Sequence, residues 1–447
     1  MSEETWGWWR HAAASPGPHA GRLVQVSRSS ALPFWALMGF TCLLLLSPQS
    51  FLPALGKLHL PLLMALLSAG SFIMGSWKRH ENPFALGKEH RLALLLAAWA
   101  IVTVPLSLWP GGSVTFFFGI FFKALIVFWL LSRVVDSVAR LELACWTLSL
   151  LAAPLSLSAV RTFFSGGFRT QELSHGLARI SGYDASLTGN PNDLALMLNL
   201  ILPLSIALFL KARRPGAQSL LAVLVGLDVV AIIATFSRAG FLSLGLTGLA
   251  YLYILFRRKR RTLAFLVIAG CLAGAAMLPS SYLNRLSTIT NIQADKTNSA
   301  QTRFRDYVTA AKYVAAHPLM GAGIGMNILA LNDARGTTWT LVHDVYLEYA
   351  VDLGLPGVIL FLLLLRQVIR GLRTAMRRAG AAPDGDDLHF LLEGLLVSIA
   401  SFALSAFFYP DAYQFYFYYI AGLAIAAISI TLTGENQAPA EAEATPA

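Results

Sequence analysis

Long apolar runs recur along almost the whole chain, and each of them must be kept away from water. A helix needs about 20 residues to cross a hydrocarbon core of about 30 Å, and twelve runs approach this length. They are Ala31–Ser47, Leu58–Trp77, Leu92–Leu108, Val114–Ser132, Glu142–Val160, Asp193–Leu210, Ser219–Phe236, Ala239–Leu255, Leu263–Leu278, Val345–Leu365, Leu388–Phe408 and Phe415–Leu432. The sequence therefore predicts an all-α polytopic membrane protein, with about 12 transmembrane helices in one domain over residues 31–432.

Composition agrees with a membrane protein and excludes an ordinary soluble domain. Only 13% of the 447 residues are charged, about half the share that is typical of soluble proteins, and the mean hydropathy is +0.61. The three cysteines, Cys42, Cys145 and Cys271, each fall in an apolar run. Their positions indicate neither a disulfide framework nor a CxxC metal site.

The distribution of basic residues predicts the orientation in the membrane. Of the 34 lysines and arginines, 22 lie in segments that share one side when the N-terminus is cytoplasmic, as the positive-inside rule requires. The net charge of +10 is therefore explained by topology rather than by nucleic-acid binding. We expect a cytoplasmic tail at residues 1–30, a tight outer hairpin at Ser237-Arg238, and a disordered cytoplasmic tail at residues 433–447. Two loops on the outer side are expected at about 161–192 and 279–344.

The second of these loops is the largest polar segment, and it ends on His343 where the next apolar run begins. A neutral imidazole can accept a proton from a hydroxyl near neutral pH, so His343 is the candidate catalytic base. The alternative is a histidine that merely hydrogen-bonds at a helix start. Candidate supporting residues surround it in sequence: Asp344, Tyr346, Glu348 and the earlier His317.

Several arginines on the predicted outer face are candidate ligands for a phosphate or diphosphate, because guanidinium groups match phosphate oxygens with paired donors. They are Arg161, Arg169, Arg179, Arg238, Arg303 and Arg305. Each of them has an alternative explanation. Arg238 could extend its charge to the membrane interface from the hairpin, and the others could attract anionic lipid headgroups.

The remaining polar motifs predict local structure. Residues 300–316 have apolar positions at helical spacing, which indicates an amphipathic helix near the outer surface. Gly321-x-Gly-x-Gly325 does not fit a dinucleotide fingerprint and indicates a tight turn with close backbone approach. Asn190 precedes a predicted helix that Asn192 or Asp193 could cap, and its amide is a weaker candidate for a sugar hydroxyl. No sequence motif suggests a metal or another cofactor.

In this order, the motifs resemble those of the O-antigen ligase family, within the wider group that includes O-antigen polymerases and O-linked oligosaccharyltransferases. The resemblance covers residues 161–365 in motifs and the whole chain in topology. It rests on the following motifs: Ser181-Gly182, Gly189-Asn190-Pro191-Asn192, Thr235-Phe236-Ser237-Arg238-Ala239-Gly240, Arg303, His317-Pro318-Leu319, Gly321-x-Gly-x-Gly325, His343-Asp344-x-Tyr346-Leu347-Glu348, Gly354 and Gly357.

The resemblance implies a glycosyltransferase of GT-C-like architecture in the bacterial inner membrane. Its donor would be O-antigen on undecaprenyl diphosphate, and its acceptor a hydroxyl of the lipid A–core oligosaccharide. The family also implies transfer without a metal or cofactor and with inversion at the anomeric carbon. By position, His343 matches the family's essential histidine, and Arg238 and Arg303 match its essential arginines. Arg161 and Arg179 have no such match and are only candidate diphosphate contacts.

Three alternatives stay open at this point. An O-antigen polymerase would use the same donor with a second repeat unit as acceptor, and a protein O-oligosaccharyltransferase would modify serine or threonine. A transporter of the lipid-linked glycan or of a small molecule is the alternative from another class. It predicts internal repeats and broken helices, and Lys123, a charge within a predicted span, would suit a transport path.

Overall fold

α-Helices make up most of the structure. The computed structural model describes residues 30–165, 180, 183, 185, 187–276, 299–336, 339, 341–380 and 386–442, and these ranges contain no β-strand. The helices are α1 (Ala31–Leu46), α2 (Leu60–Lys78), α3 (Lys88–Thr103), α4 (Pro110–Phe116), α5 (Phe122–Val134), α6 (Val138–Ser165), α7 (Pro191–Lys211), α8 (Pro215–Ala234), α9 (Arg238–Arg257), α10 (Arg261–Ala276), α11 (Ser299–Ala316), α12 (Asn327–Arg335), α13 (Val345–Ala379), α14 (Asp386–Ser405) and α15 (Phe415–Ala442).

Eleven segments of the described part are long and apolar enough to cross a membrane, so the chain is a multi-pass membrane protein. One of them is continuous over Pro110–Val134, because a π-helical turn, Phe117–Phe121, joins α4 to α5. The predicted span Leu263–Leu278 corresponds to α10, which has 16 residues and is shorter than the other spans. The all-α polytopic prediction is confirmed.

Some helix ends differ from the sequence prediction. Helix α6 continues to Ser165, so Arg161 lies in its last turns and not in a loop. Helix α15 continues to Ala442, although a disordered tail is predicted from residue 433. The N-terminal tail up to residue 29 and the loop residues 166–179, with Arg169 and Arg179, lie outside the described residues.

Helix α7 is the most deeply buried of the spans, with 83% of its apolar window inside the protein. It packs closely against α14, where Ser398 Oγ donates a hydrogen bond to Leu200 O at 2.7 Å. On another side, Tyr251 Oη of α9 donates to Pro203 O at 2.6 Å. These side-chain hydrogen bonds satisfy polar groups that would otherwise be costly inside a membrane protein.

Helix α13 is broken at Gly354, which has φ 67° and ψ −172°. This conformation is almost confined to glycine. The freed backbone groups find partners in the glycine-rich segment 318–325 and on α3. The hydrogen bonds are Ala322 N to Val351 O, Gly323 N to Asp352 O, Leu355 N to Pro318 O and Trp99 Nε1 to Leu353 O, each at 2.8 Å. The segment therefore replaces the helical hydrogen bonds that the break removes.

The tight turn predicted at Gly321-x-Gly-x-Gly325 is confirmed, because all three glycines have positive φ. The approach to α13 is very close. A Cβ atom on Gly321 would lie 2.5 Å from Val351 O. Glycine is therefore required here by both backbone conformation and space.

We expect Gly354→Ala to destabilise the protein by at least about 1–3 kcal/mol, the usual cost of a strained backbone position. The alanine Cβ would also lie 2.2 Å from Leu319 O. Thermal unfolding in detergent measures the effect. The matched control is Gly226→Ala in α8, where a new Cβ meets nothing within 4 Å. Equal melting temperatures for the two variants would contradict the proposed constraint.

Candidate functional site

His343 lies two residues before α13 and is half-buried. The start of this helix is firmly held. Asp344 is its N-cap, with Oδ1 accepting from Leu347 N at 2.9 Å, and Val345 N donates to Ala406 O at 2.7 Å. Capping of this kind satisfies amide groups that a helix start leaves unpaired. The backbone next to His343 is thus held both by the cap of α13 and by the hydrogen bond to the loop residue Ala406.

Arg303 is brought close to His343 by the amphipathic helix α11, whose predicted existence is confirmed at Ser299–Ala316. Burial, followed by charge repulsion from Arg303 and Arg335, lowers the pKa of His343 to about 4, although Asp306 and a hydrogen bond to the Leu341 backbone oppose this shift. The imidazole is therefore neutral near pH 7. With one ring nitrogen occupied by Leu341, the other can accept a proton.

A buried ion pair joins α11 to α12 behind His343. Arg335 Nη1 lies 3.1 Å from Asp306 Oδ1, and the two side chains are 0% and 3% exposed. Arg335 Nε also donates to Leu331 O at 3.2 Å. Because Asp306 lies three residues after Arg303 on α11, this ion pair fixes the helix that carries Arg303.

The depressed pKa of His343 predicts acid sensitivity. In the unfolded chain, His343 binds a proton when the pH falls below about 6.5, its ordinary pKa. In the folded protein, it binds this proton only when the pH falls below about 4. Stability is therefore expected to fall as the pH is lowered from about 6.5 to about 4. Thermal unfolding at pH 5 and pH 7.5 tests this: His343→Gln should show a smaller loss than wild type. The control is His317→Gln, and an equal loss in wild type and His343→Gln would refute the prediction.

The loop between α14 and α15, residues 406–414, connects the elements of the site, and the sequence did not single it out. It accepts side-chain hydrogen bonds from α11 and α13: Tyr307 Oη donates to Phe407 O at 2.7 Å, and Tyr349 Oη donates to Ala412 O. Glu348 Oε2 accepts from Ala412 N at 3.0 Å. Clustered tyrosines and Asp411 were the only sequence signal that could have drawn attention to this loop.

Arg238 is the first residue of α9, so the predicted hairpin between α8 and α9 is confirmed. The preceding Ser237 links it to the rest of the site. Ser237 Oγ donates to Asn192 Oδ1 at 3.0 Å and lies 3.3 Å from Tyr409 Oη in the 406–414 loop. Arg238, Arg303 and His343 are thus placed at one end of the bundle, which we call the His343 end.

The other predicted site residues are placed as follows. Asn190 caps α7: its Oδ1 accepts from Asn192 N and Asp193 N at 2.9 and 3.0 Å, so the cap is neither of the two residues predicted. Its Nδ2 donates to Asp193 Oδ2 at 2.6 Å, which leaves little of the amide for a sugar. Arg161 is exposed on α6, and Arg179 lies outside the described residues.

His317 and the supporting residues of α13 have structural contacts. The His317 ring stacks on Tyr313 with centroids 4.4 Å apart. It directly follows α11 and lies 14 residues after Arg303, or about 20 Å at 1.5 Å per residue. Tyr346 Oη donates to Ala403 O at 2.8 Å. Tyr346 and Glu348 therefore hold α13 against α14 and the 406–414 loop. These contacts do not favour His317 as a partner of His343.

Ionisable groups near His343 set the electrostatic environment of the site. Burial raises the pKa of Asp344 to about 6, although hydrogen bonds from the Leu347 and Tyr346 backbone oppose this. Within the described ranges, no group of three or more histidine, cysteine, aspartate or glutamate side chains is arranged to hold a metal ion. The charged groups that shift the pKa of the His343 imidazole are Arg303, Asp306 and Arg335.

Comparison with known proteins identifies the segment that carries this site. No curated protein matches the chain. Residues 220–362 match the O-antigen ligase family, and this range contains Arg238, Arg303 and His343 but neither Asn190 nor the 406–414 loop. The resemblance seen in the motifs is therefore confirmed, because residues 220–362 of the chain are similar to the O-antigen ligase family.

Proposed function

We propose that this protein is an O-antigen ligase, which transfers O-antigen polysaccharide from undecaprenyl diphosphate to a hydroxyl of the lipid A–core oligosaccharide. The observation that supports this most is the pairing of a neutral, half-buried His343 with the guanidinium of Arg303. The site thus offers a proton acceptor and a fixed positive charge that acts on it. Transfer of a glycan from a diphosphate to a hydroxyl needs both of these groups.

In the proposed reaction, the acceptor oxygen attacks the anomeric carbon from the face opposite the diphosphate, which inverts the configuration. The C1–O bond to the diphosphate breaks, and its electron pair stays on the leaving oxygen. Arg303 and Arg238 stabilise this developing negative charge without a metal. The acceptor proton passes to the ring nitrogen of His343 that is not bonded to Leu341. Arg161 and Arg179 are further candidate contacts of the diphosphate.

Binding of the donor would also strengthen the base. Arg303 lowers the pKa of His343 in the free protein. A bound diphosphate neutralises this arginine, so the pKa of His343 should rise toward the working pH, where a general base is most effective. The base would therefore be most reactive when the donor is present.

The proposed location is the bacterial inner membrane, with both termini cytoplasmic and the His343 end facing the periplasm. The distribution of basic residues supports this orientation. Both proposed substrates are anchored in lipid, and a site at the end of the membrane helices would meet them at the bilayer surface. A break such as that in α13 also occurs in transporters, but here segment 318–325 fills it, so the break is no argument for transport.

We expect Arg303→Gln to lower kcat/KM by about 100-fold or more, the usual cost of losing one donor to a developing oxyanion. It should also move the acidic limb of the pH profile to higher pH, because Arg303 lowers the pKa of His343. The matched control is Arg305→Gln, an exposed arginine two residues away on the same helix. Similar profiles for the two variants would remove Arg303 from the site.

The test of the function is product analysis with purified protein, lipid-linked O-antigen and lipid A–core in detergent containing EDTA. Glycan on lipid A–core would support the proposal. A longer lipid-linked glycan would instead identify a polymerase, and a glycosylated protein acceptor would identify a protein O-oligosaccharyltransferase. Donor binding without transfer to any of these acceptors would favour transport.

A further inference from the structure

A cavity of about 750 Å³ lies at the end of the bundle opposite His343. It is formed by the C-terminal half of α9, the last turns of α13 and residues 389–400 of α14. Its size is within the range of small-molecule binding sites. The residues described above for glycan transfer do not contribute to it.

The rim of this cavity is strongly basic. Four arginines line it, with Glu393 as the one carboxylate among the lining residues: Arg257, Arg258, Arg373 and Arg377. Glu393 is already used, because Arg258 Nη2 lies 2.9 Å from its Oε2 and His389 Nε2 lies 3.2 Å from its Oε1. The lining therefore carries a net charge of +3 with neutral histidine. Because Glu393 is paired with Arg258, the other three arginines can contact an anion.

Arg258 is held in place by two contacts. Its guanidinium carbon lies 4.1 Å from the centre of the Phe390 ring, a cation–π contact, in addition to its ion pair with Glu393. By contrast, Arg257, Arg373 and Arg377 are exposed, and the described residues supply no carboxylate within ion-pair distance of them. Arg257 lies over the Tyr253 ring at 5.8 Å, and Tyr253 is an aromatic residue of the kind found at membrane interfaces.

Below the rim, the walls are apolar and belong to membrane-spanning helices. Leu246, Ala250 and Ile254 lie on one face of α9, opposite Leu396 and Ala400 of α14. Leu246 precedes Arg257 by 11 residues, or about 16 Å along the helix. This is about half of a 30 Å hydrocarbon core. The apolar part of the groove is therefore as deep as one leaflet of a bilayer.

We propose that this groove is a binding site for an anionic phospholipid, whose phosphate lies among Arg257, Arg373 and Arg377 and whose acyl chains lie between α9 and α14. The combination of depth and charge supports a lipid over a soluble anion, because a free phosphate would leave the apolar walls uncovered. Basic pockets between membrane helices are a general means of binding anionic headgroups. The proposal does not depend on the glycan-transfer reaction.

Native mass spectrometry of the full-length protein tests it, with dioleoyl phosphatidylglycerol and dioleoyl phosphatidylcholine as probes. Wild type should retain the anionic lipid preferentially. The triple variant R257Q/R373Q/R377Q should weaken this binding about fivefold for each arginine, since each basic residue near a membrane surface contributes about 1 kcal/mol. Ala250→Trp, which fills the apolar groove without changing charge, should weaken it as well. The matched control is R214Q/K259Q/R261Q, three exposed basic residues at the same end that do not line the groove.

The outcomes separate the alternatives. Loss of selectivity in the groove variants with retention in the control would support the proposal. Equal retention of the two lipids by wild type would overturn it, as would equal losses in the groove triple and the control triple. Competition by glycerol 3-phosphate as strong as that by the lipid would also overturn it, because the site would then be one for a soluble phosphate.

Discussion

His343→Ala is expected to lower the rate of glycan transfer by about 10²–10⁴-fold, the usual contribution of general acid–base catalysis. The acceptor hydroxyl must lose its proton during attack, and His343 has a ring nitrogen able to receive it. The neighbouring Arg303 carries a fixed positive charge and cannot replace the base. The measurement is the rate of appearance of glycan on lipid A–core with purified protein.

The matched control is His317→Ala, because His317 directly follows α11, lies about 20 Å from Arg303 and stacks on Tyr313. This variant should retain most of the wild-type rate. Donor binding and melting temperature should be nearly unchanged in both variants. Near wild-type transfer by a folded His343→Ala protein would refute the assignment of the base. A comparable loss in His317→Ala would indicate that the site extends to His317.

Arg335→Met should destabilise the assembly of α11 and α12 by about 3–5 kcal/mol, because removing one partner of a buried ion pair leaves the other charge without compensation. Asp306 would be that remaining charge, and it is 2% exposed. The loss of this ion pair should also release α11 and move Arg303 away from His343. Both a lower melting temperature and a lower rate of transfer are therefore expected.

The double variant D306L/R335M provides the decisive comparison. Replacing a whole buried ion pair by apolar residues of similar volume is often neutral, so the double variant should regain most of the stability that Arg335→Met loses. Thermal unfolding in detergent measures all three proteins. If the double variant is as unstable as Arg335→Met, the ion pair itself is not what holds the two helices together.

Much of the fold follows from the sequence because crossing a bilayer imposes strong local requirements. A run of apolar residues must become a helix, since hydrocarbon offers no partners for backbone groups. This is why each predicted run corresponds to a helix and why the short hairpin before Arg238 was predictable from a polar pair between two apolar runs. Helix ends were less well predicted, as at Ser165 and Ala442, because polar residues can extend a helix beyond the hydrocarbon.

The sequence also singled out His343, Arg238 and Arg303 as candidates, because they lie in or beside the few polar segments of a chain that is otherwise largely apolar. It determined the residue types that the chemistry needs and the class of protein that carries them. What it could not determine was which of these residues meet. The pair Arg335 and Asp306 is separated by 29 residues, and nothing in the spacing indicates that both side chains are buried together.

Only the tertiary structure decided how the site is held. The 406–414 loop looks like an ordinary turn in the sequence, yet its backbone binds side chains from α11 and α13. Gly354 lies within an apolar run, and its break depends on a segment some 30 residues earlier that supplies replacement hydrogen bonds. Local patterns report what each residue prefers, whereas a partner for a buried polar group is chosen by the packing of distant helices. The sequence therefore determined the membrane fold and the chemical groups, and tertiary packing decided which of those groups come together.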